Sequence, residues 1–563
     1  MKKIPIIILC LMFALGVSAQ DYTPRYRYRV TLKDKKGTPF TTSRPEQFLS
    51  AKAIERRKKQ KLKIDKTDLP VSPVYLTAIR QDGVKVIICS KWNNTVLVET
   101  TDTTLMDKVR QEPFVTAVRK VAVYTKDDTP DHNARFAYIK TDEAKAKLNA
   151  VAEEVEEAEE EAEVEETPTS SLEEQAAMML ENELGEILVR IYPDMENLTP
   201  QQQDSVKVFK AMMLKLALSE LAKSRINVDA DEVDEEEYAR LDSLMESGSY
   251  ESEEKPSEKP FNYYGKGWGQ LHMMNLDALH NKGYKGAGMT IAIIDGGFYN
   301  ADIIPMLKNV TVLGYRDFVN PGIDDVFEQE LHGTMVLSCI GTNQPGQFVG
   351  TAPEASFWLL RSEDGHSEQL VEEDTWCAAI EFADSVGADV VNTSLGYTEF
   401  DNKADNVRYY ELDGHTHIIS KSASMAADKG MVLCQSAGNS AFYDAWKLIG
   451  APADADNILT VGAVNSDRVN TLFSSIGNSY DGRIKPDVCA QGEDCTVIDR
   501  DGTLTTADGT SFSSPIMCGS VACFWQANPK LTAKQVITLV RALGDNAEHP
   551  DNVFGWGIPD YSK

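Results

Sequence analysis

A chain of 563 residues, 42% hydrophobic and 26% charged, is long enough for two or more domains and a sizeable core, so a single small module is excluded. Much of its formal net charge of −30 comes from acidic blocks in the middle of the chain. Beyond the N-terminal segment no run approaches the roughly 20 apolar residues that a membrane helix needs.

Residues 1–19 begin with Lys2 and Lys3, run through an apolar stretch from Ile4 to Val17 and end on small residues before Gln20, the pattern of a signal peptide cleaved after Ala19. Export to the periplasm or the medium follows. Cys10 has no small-residue lipobox before it, so no lipid or other membrane anchor is expected. Residues 20–125 alternate β-like runs, Tyr26 to Val30 and Val84 to Ile88, with a basic helix-like segment, Ser50 to Lys63, which predicts a small α+β domain. The cluster Arg56-Arg57-Lys58-Lys59 has the composition of a nucleic-acid patch. In an exported protein it reads instead as a solvated helix face, and no nucleic-acid partner is expected.

Residues 126–260 change character. Ala152 to Glu166 is nearly all Glu, Ala and Val, and Asp229 to Lys259 is again acidic, so both blocks repel themselves and predict flexible linkers. Between them Ser171 to Ile191 and Thr199 to Ile226 predict an amphipathic helix pair, the first with Leu172, Met179, Leu180, Leu184, Ile187 and Ile191 at helical spacing. No ordered D-x-D-x-D-G loop is present to make the acidic flanks a calcium site.

From Phe261 to Lys563 short apolar strands alternate with helical stretches (Asp374 to Val386, Ser420 to Lys429, Thr532 to Leu543), which predicts an α/β fold: a parallel sheet with helices on both faces. Working residues in such sheets gather at the C-terminal ends of strands. Asp295 follows the strand-like Ile291 to Ile294, and Asn439 follows Val432 to Gln435. Leu331-His332-Gly333-Thr334 places a histidine at a helix start. Gly509-Thr510-Ser511 delivers a hydroxyl where the apolar run Ile516 to Phe524 begins, with Pro515 read as a first-turn proline. The unpaired N–H groups and macrodipole of that helix can meet an oxyanion. Each residue alone also has a plainer reading: Asp295 as a turn-former, His332 as a cap neighbour, Asn439 as a left-handed residue after Gly438.

Asp295, His332, Asn439 and Ser511 stand in the order in which subtilisins carry their machinery. With Val390 to Gly396, Phe473-Ser474-Ser475, Arg483 to Asp487 and Gly555-Trp556-Gly557, residues 261–563 resemble the subtilisin-like serine peptidases, or subtilases. One departure is Gly296-Gly297 after Asp295, where many subtilases have Thr-Gly or Ser-Gly. The resemblance implies hydrolysis of polypeptides through an acyl-enzyme, with Ser511 as nucleophile, His332 as general base and Asp295 orienting the imidazole. Asn439 and the Ser511 N–H would form the oxyanion hole, and Ser394-Leu395-Gly396 would bind extended substrate as an added strand. It also implies that residues 20–125 are a pro-segment that caps the cleft, and it allows structural calcium, with no ligands assigned and no cofactor needed for the chemistry. A second hypothesis keeps the same fold as a catalytically silent binding or scaffolding protein that engages a partner through the helix pair.

Two further features belong to the catalytic region. His415 and His417 stand two apart with no third ligand near in sequence and read as loop residues rather than a metal pair. Most cysteines lie in apolar runs as small hydrophobes, and Cys489 and Cys495, flanking a loop, are the expected disulfide. The chain ends at Lys563 shortly after Gly555-Trp556-Gly557, with no room for a C-terminal sorting domain expected.

Overall fold

The computed structural model describes residues 23–80, 83–125, 261–322, 325–441 and 446–563. The expected signal peptide, acidic blocks and helix pair lie outside these residues.

The N-terminal part is α+β. Strands β1 (Arg25–Leu32), β2 (Lys85–Ser90), β3 (Thr95–Thr100) and β4 (Val115–Tyr124) form an antiparallel sheet in the order β2-β3-β1-β4. Its inward alternation, Tyr28, Val30, Val96 and Val98, packs against Ile79 of helix α2 (Pro73–Ile79) and Met106 and Val109 of helix α3 (Leu105–Gln111). Helix α1 (Ala51–Lys59) starts at Ser50, whose side chain accepts the Ala53 N–H, an N-cap that fixes the helix where the sequence places it.

The C-terminal part is built on seven parallel strands: β5 (Thr290–Asp295), β6 (Thr311–Asp317), β7 (Ser356–Arg361), β8 (Val390–Thr393), β9 (Val432–Ser436), β10 (Leu459–Val464) and β11 (Val488–Gln491). Their order is β11-β10-β9-β8-β5-β7-β6. The central strands are buried on both faces, hence continuous apolar runs such as Ile291 to Ile294. One face carries helices α4 (His332–Gly341), α7 (Thr510–Ala527) and α8 (Ala533–Ala542) over a core that includes Ile293, Val390, Val432, Val461 and Ile516. The other carries α5 (Val371–Val386) and α6 (Ile418–Met425) over Ala292, Ile294, Val391 and Trp376. A short hairpin, β12 (Cys495–Ile498) with β13 (Leu504–Ala507), leads into α7.

Helix α7 begins earlier than the apolar run predicts, so Pro515 lies inside it rather than in its first turn. The missing Pro515 N–H would have bonded to the Ser511 carbonyl, four residues back. That carbonyl instead accepts the Ser394 hydroxyl at 2.9 Å. The proline is tolerated because a neighbouring strand end supplies the lost donor.

Two further expectations are corrected. Arg56 and Arg57 are not on a solvated face; they are 5% and 1% exposed and both bond to Asp384 of α5. The N-terminal sheet and α1 cover α5, so a face of α1 that would be wet in isolation becomes an interface. Cys489 and Cys495 do not form a disulfide: all eight described cysteines are free thiols. Cys489 lies on β11 with its Sγ 3.5 Å from the Phe554 carbonyl, and Cys495 lies on β12 with its Sγ 3.3 Å from that of Gln491. The two thiols belong to different sheets and point at different acceptors.

Candidate active site

Asp295 is the last residue of β5 and is 1% exposed. Its Oδ1 accepts the Gly296 N–H at 2.9 Å and faces His332 Nδ1, also at 2.9 Å. The other oxygen, Oδ2, has no hydrogen-bond partner among the described residues, so the imidazole is the chief group answering this buried charge. His332 is the first residue of α4 and keeps its side chain 34% exposed. Burial opposes its protonation, but the charge and hydrogen bond of Asp295 outweigh that and raise it to about 9. The Gly-Gly departure after Asp295 falls on Gly296, where a Cβ would lie 2.7 Å from Glu330 Oε2. At Gly297, the glycine shared with the family pattern, a Cβ would lie 2.4 Å from the Glu330 N, on the chain that leads into His332.

Ser511 is the second residue of α7. Its neighbours are already engaged: the Thr510 N–H donates to Asn439 Oδ1 at 2.9 Å and the Phe512 N–H to the Gly509 carbonyl at 3.0 Å. Among the described residues the N–H between them has no acceptor, as is usual for the first-turn donors of a helix. The Thr510 hydroxyl also bonds Asn439 Oδ1, at 2.8 Å. Two donors on that oxygen fix the amide orientation and leave Nδ2 free toward Ser511. Gly509 has φ +147°, and a Cβ there would stand 3.3 Å from Asn439 Nδ2. The turn before the serine therefore requires glycine.

In this rotamer the Ser511 hydroxyl points to the Ser394 carbonyl at 3.3 Å rather than to His332. The His332 ring lies 5.9 Å, centroid to centroid, from the ring of Phe512. Ser394, Leu395 and Gly396 line the same pocket as Ser511 and Asn439, at the C-terminal ends of β8 and β9, while Asp295 and His332 stand outside that lining and approach it through Phe512, the residue after Ser511. Within the substrate segment the Leu395 carbonyl is held by Gln435 Nε2, which leaves Gly396 the exposed backbone of the three.

Sequence reasoning missed Thr510, which orients Asn439, and Glu363 and Glu368, which line the pocket. Thr510 was recoverable as part of the Gly-Thr-Ser triplet; the two glutamates, in a charged loop, carry no local signal. His417 sits before α6 with Nδ1 2.7 Å from Glu373, and His415 Nε2 lies 3.3 Å from Asp456, so the two histidines address different carboxylates. Among the described residues no three His, Cys, Asp or Glu side chains converge to hold a metal ion.

The architecture is that of a subtilisin-like α/β peptidase. Residues 286–557 match the subtilase family, and residues 27–135 match the peptidase S8 propeptide domain of Bacteroidota. The chain is similar to subtilisin DY of Bacillus licheniformis, 29% identical over 49% of this chain and 90% of the relative. It is 28% identical to the serine protease AprX of Bacillus subtilis, over 48% of this chain and 65% of that protein. Among solved structures, the MycP3 protease from the type VII (ESX-3) secretion system aligns over 54% of this chain and 88% of its own, at 23% identity and a TM-score of 0.41. The chain belongs to the subtilase family: it is a subtilisin-like serine endopeptidase with an N-terminal pro-segment. Among the described residues no helix is long and apolar enough to cross a membrane.

Proposed function

We propose that the protein is exported through residues 1–19 as a zymogen and hydrolyses polypeptides outside the cytoplasm through a Ser511-His332-Asp295 triad. The observation that carries this reading is the placement of a buried carboxylate 2.9 Å from His332 Nδ1, with the His332 ring 5.9 Å from that of Phe512, the residue after a serine that stands beside an open N–H and a free amide. Ser511 Oγ turns from Ser394 to His332 and attacks the scissile carbonyl while Nε2 takes its proton. Asp295 holds the Nδ1–H tautomer and stabilises the imidazolium. The developing oxyanion receives the Ser511 N–H and Asn439 Nδ2. His332 then returns the proton to the leaving amine, and water repeats the sequence to release the acyl group. Extended substrate lies along Ser394 to Gly396. No cofactor enters the chemistry.

The test is labelling of Ser511 by a fluorophosphonate together with the fate of the precursor. Processed wild-type protein should label, and Ser511→Ala should accumulate with residues 20–260 still attached. Processed protein that never labels would turn the assignment toward the silent binding protein; identical processing of purified Ser511→Ala would show that another peptidase makes the cut.

A further inference from the structure

The pocket beside Ser511 has a volume of about 260 Å³, and its lining is small and uncharged except for two side chains, Glu363 and Glu368. Both come from the loop between β7 and α5. Glu363 Oε1 accepts the hydroxyl of the buried Tyr397 at 3.0 Å, which holds the carboxylate at the pocket wall. Behind them stands Glu372, 3% exposed, whose Oε1 has no hydrogen-bond partner among the described residues. Among the described residues no Lys, Arg or His forms an ion pair with any of the three. Arg361, two residues before Glu363, is committed to Asp317 at 2.8 Å and to the Gly296 carbonyl.

Carboxylates set beside one another are poorly stabilised as anions, the more so where they are buried, as Glu372 is, or half-buried, as Glu363 is, while Glu368 keeps an exposed side. Burial, then Asp295 and Glu368, push Glu363 upward, and burial, then Asp401 and Glu330, lift Glu368 to about 7. Glu372 is raised by burial and then by Glu363 and Glu368. The missing group is a cation. The carboxylates do not converge as metal ligands do, but a long side chain with a charged tip, entering past Ser394 to Gly396, would meet them along the wall.

We propose that this pocket makes the enzyme selective for a lysine or arginine side chain on the acyl side of the scissile bond, received by Glu363 and Glu368. The assignment rests on the peptidase reading of the cleft and on substrate lying along Ser394 to Gly396. A basic side chain would bring its own charge into a site already shaped for it, whereas its neutral isostere would leave the carboxylates unpaired.

The experiment compares kcat/KM for peptide pairs carrying arginine or citrulline at each of the four residues N-terminal to the scissile bond. In the wild-type enzyme the ratio at one position should be about 10- to 100-fold in favour of arginine, the range of a charge-assisted hydrogen bond. In Glu363→Gln/Glu368→Gln it should fall to near one. Using a ratio removes any effect of these variants on the chemical step that both substrates share. Glu368 is solvent-exposed at its edge, so Glu368→Lys should fold even if the double variant does not, and it should turn the preference toward glutamate over glutamine. A labelled, active wild type with ratios near one at all four positions overturns the pocket assignment alone. So does an arginine preference that survives either variant. Protein that neither labels with a fluorophosphonate nor cleaves any peptide overturns the peptidase reading beneath it.

Discussion

The centre of the catalytic part and its seam with the pro-segment are both buried, yet they are made of different material. Around α7 the contacts are apolar and close: Ile516, Met517 and Val521 meet Val390, Val432 and Val461, and a Cβ on Gly519 would fall 2.0 Å from Thr351 Oγ1. At the seam Trp92, Leu97, Val121 and Ala122 join the apolar cluster of α5, but most specific contacts are ionic. Arg29 forks onto Asp374 at 2.8 and 2.7 Å, Arg56 and Arg57 share Asp384, and Glu381 accepts the N–H groups of Lys91 and Trp92. A buried apolar face loses its whole stabilisation when wetted, whereas separated ions regain hydration, so a buried ion pair adds geometry more than net affinity. A core is thus built to stay closed and a pro-segment seam to be specific and separable.

Substitutions at the two regions should therefore separate. The largest effect is expected from Asp295→Asn, which should lower kcat/KM by about 10⁴ through the wrong imidazole tautomer and leave the seam intact. His332 must be neutral to act. Because Asp295 raises it to about 9, wild-type kcat/KM should climb with pH along a limb lying above the ordinary histidine value of about 6.5. Loss of the carboxylate charge should move that limb to lower pH. A wild-type limb centred below 6.5 would mean that Asp295 does not govern the base.

Next in size is Asp384→Ala. Asp384 is 0% exposed and answers both Arg56 and Arg57, so its loss leaves the buried Arg56 guanidinium without a carboxylate and Arg57 with Asp68 alone, and should weaken the seam by about 3–5 kcal/mol. Denaturant-induced release of the pro-segment would measure it. The rate of fluorophosphonate labelling of the processed enzyme should not change, and an equal loss there would erase the distinction between the two regions. Asn439→Ala should follow, lowering kcat by about 10² to 10³ with KM nearly constant. A change confined to KM would make Asn439 a lining residue.

How much of this was legible in the chain depends on how local each signal is. Asp295 ends a strand after four apolar residues, and Ser511 stands two residues after a glycine whose conformation excludes other residues, so both are marked by their neighbours. The alternation of strands and helices likewise carried the parallel sheet. Arg56 and Arg57 were misread because their partner lies more than 300 residues away, and a basic helix face looks the same wet or docked. Cys489 and Cys495 misled by proximity in sequence, since a turn between two sheets sends neighbouring thiols to separate carbonyls. The acidic lining of the cleft was invisible for the first of these reasons: only the fold returns the loop carrying Glu363 and Glu368 to Ser394.

The smallest expected effect sharpens what makes the seam specific. Arg119 on β4 also pairs with an acid of the catalytic part, Asp405, at 2.6 Å, closer than most of the buried contacts. By distance alone it should rank with Arg57. But Arg119 is 53% exposed, so water solvates its charge before and after the pair forms, and ordering two side chains offsets most of the attraction. Arg119→Ala should weaken pro-segment attachment by less than about 1 kcal/mol in the same denaturant assay, and added salt should shrink even that. Both substitutions remove one member of an arginine–carboxylate contact, Asp384 buried and shared by Arg56, Arg57 and Lys91, Arg119 exposed and in a pair with Asp405. Were Arg119→Ala to match Asp384→Ala, contact geometry rather than burial would set the strength of the seam.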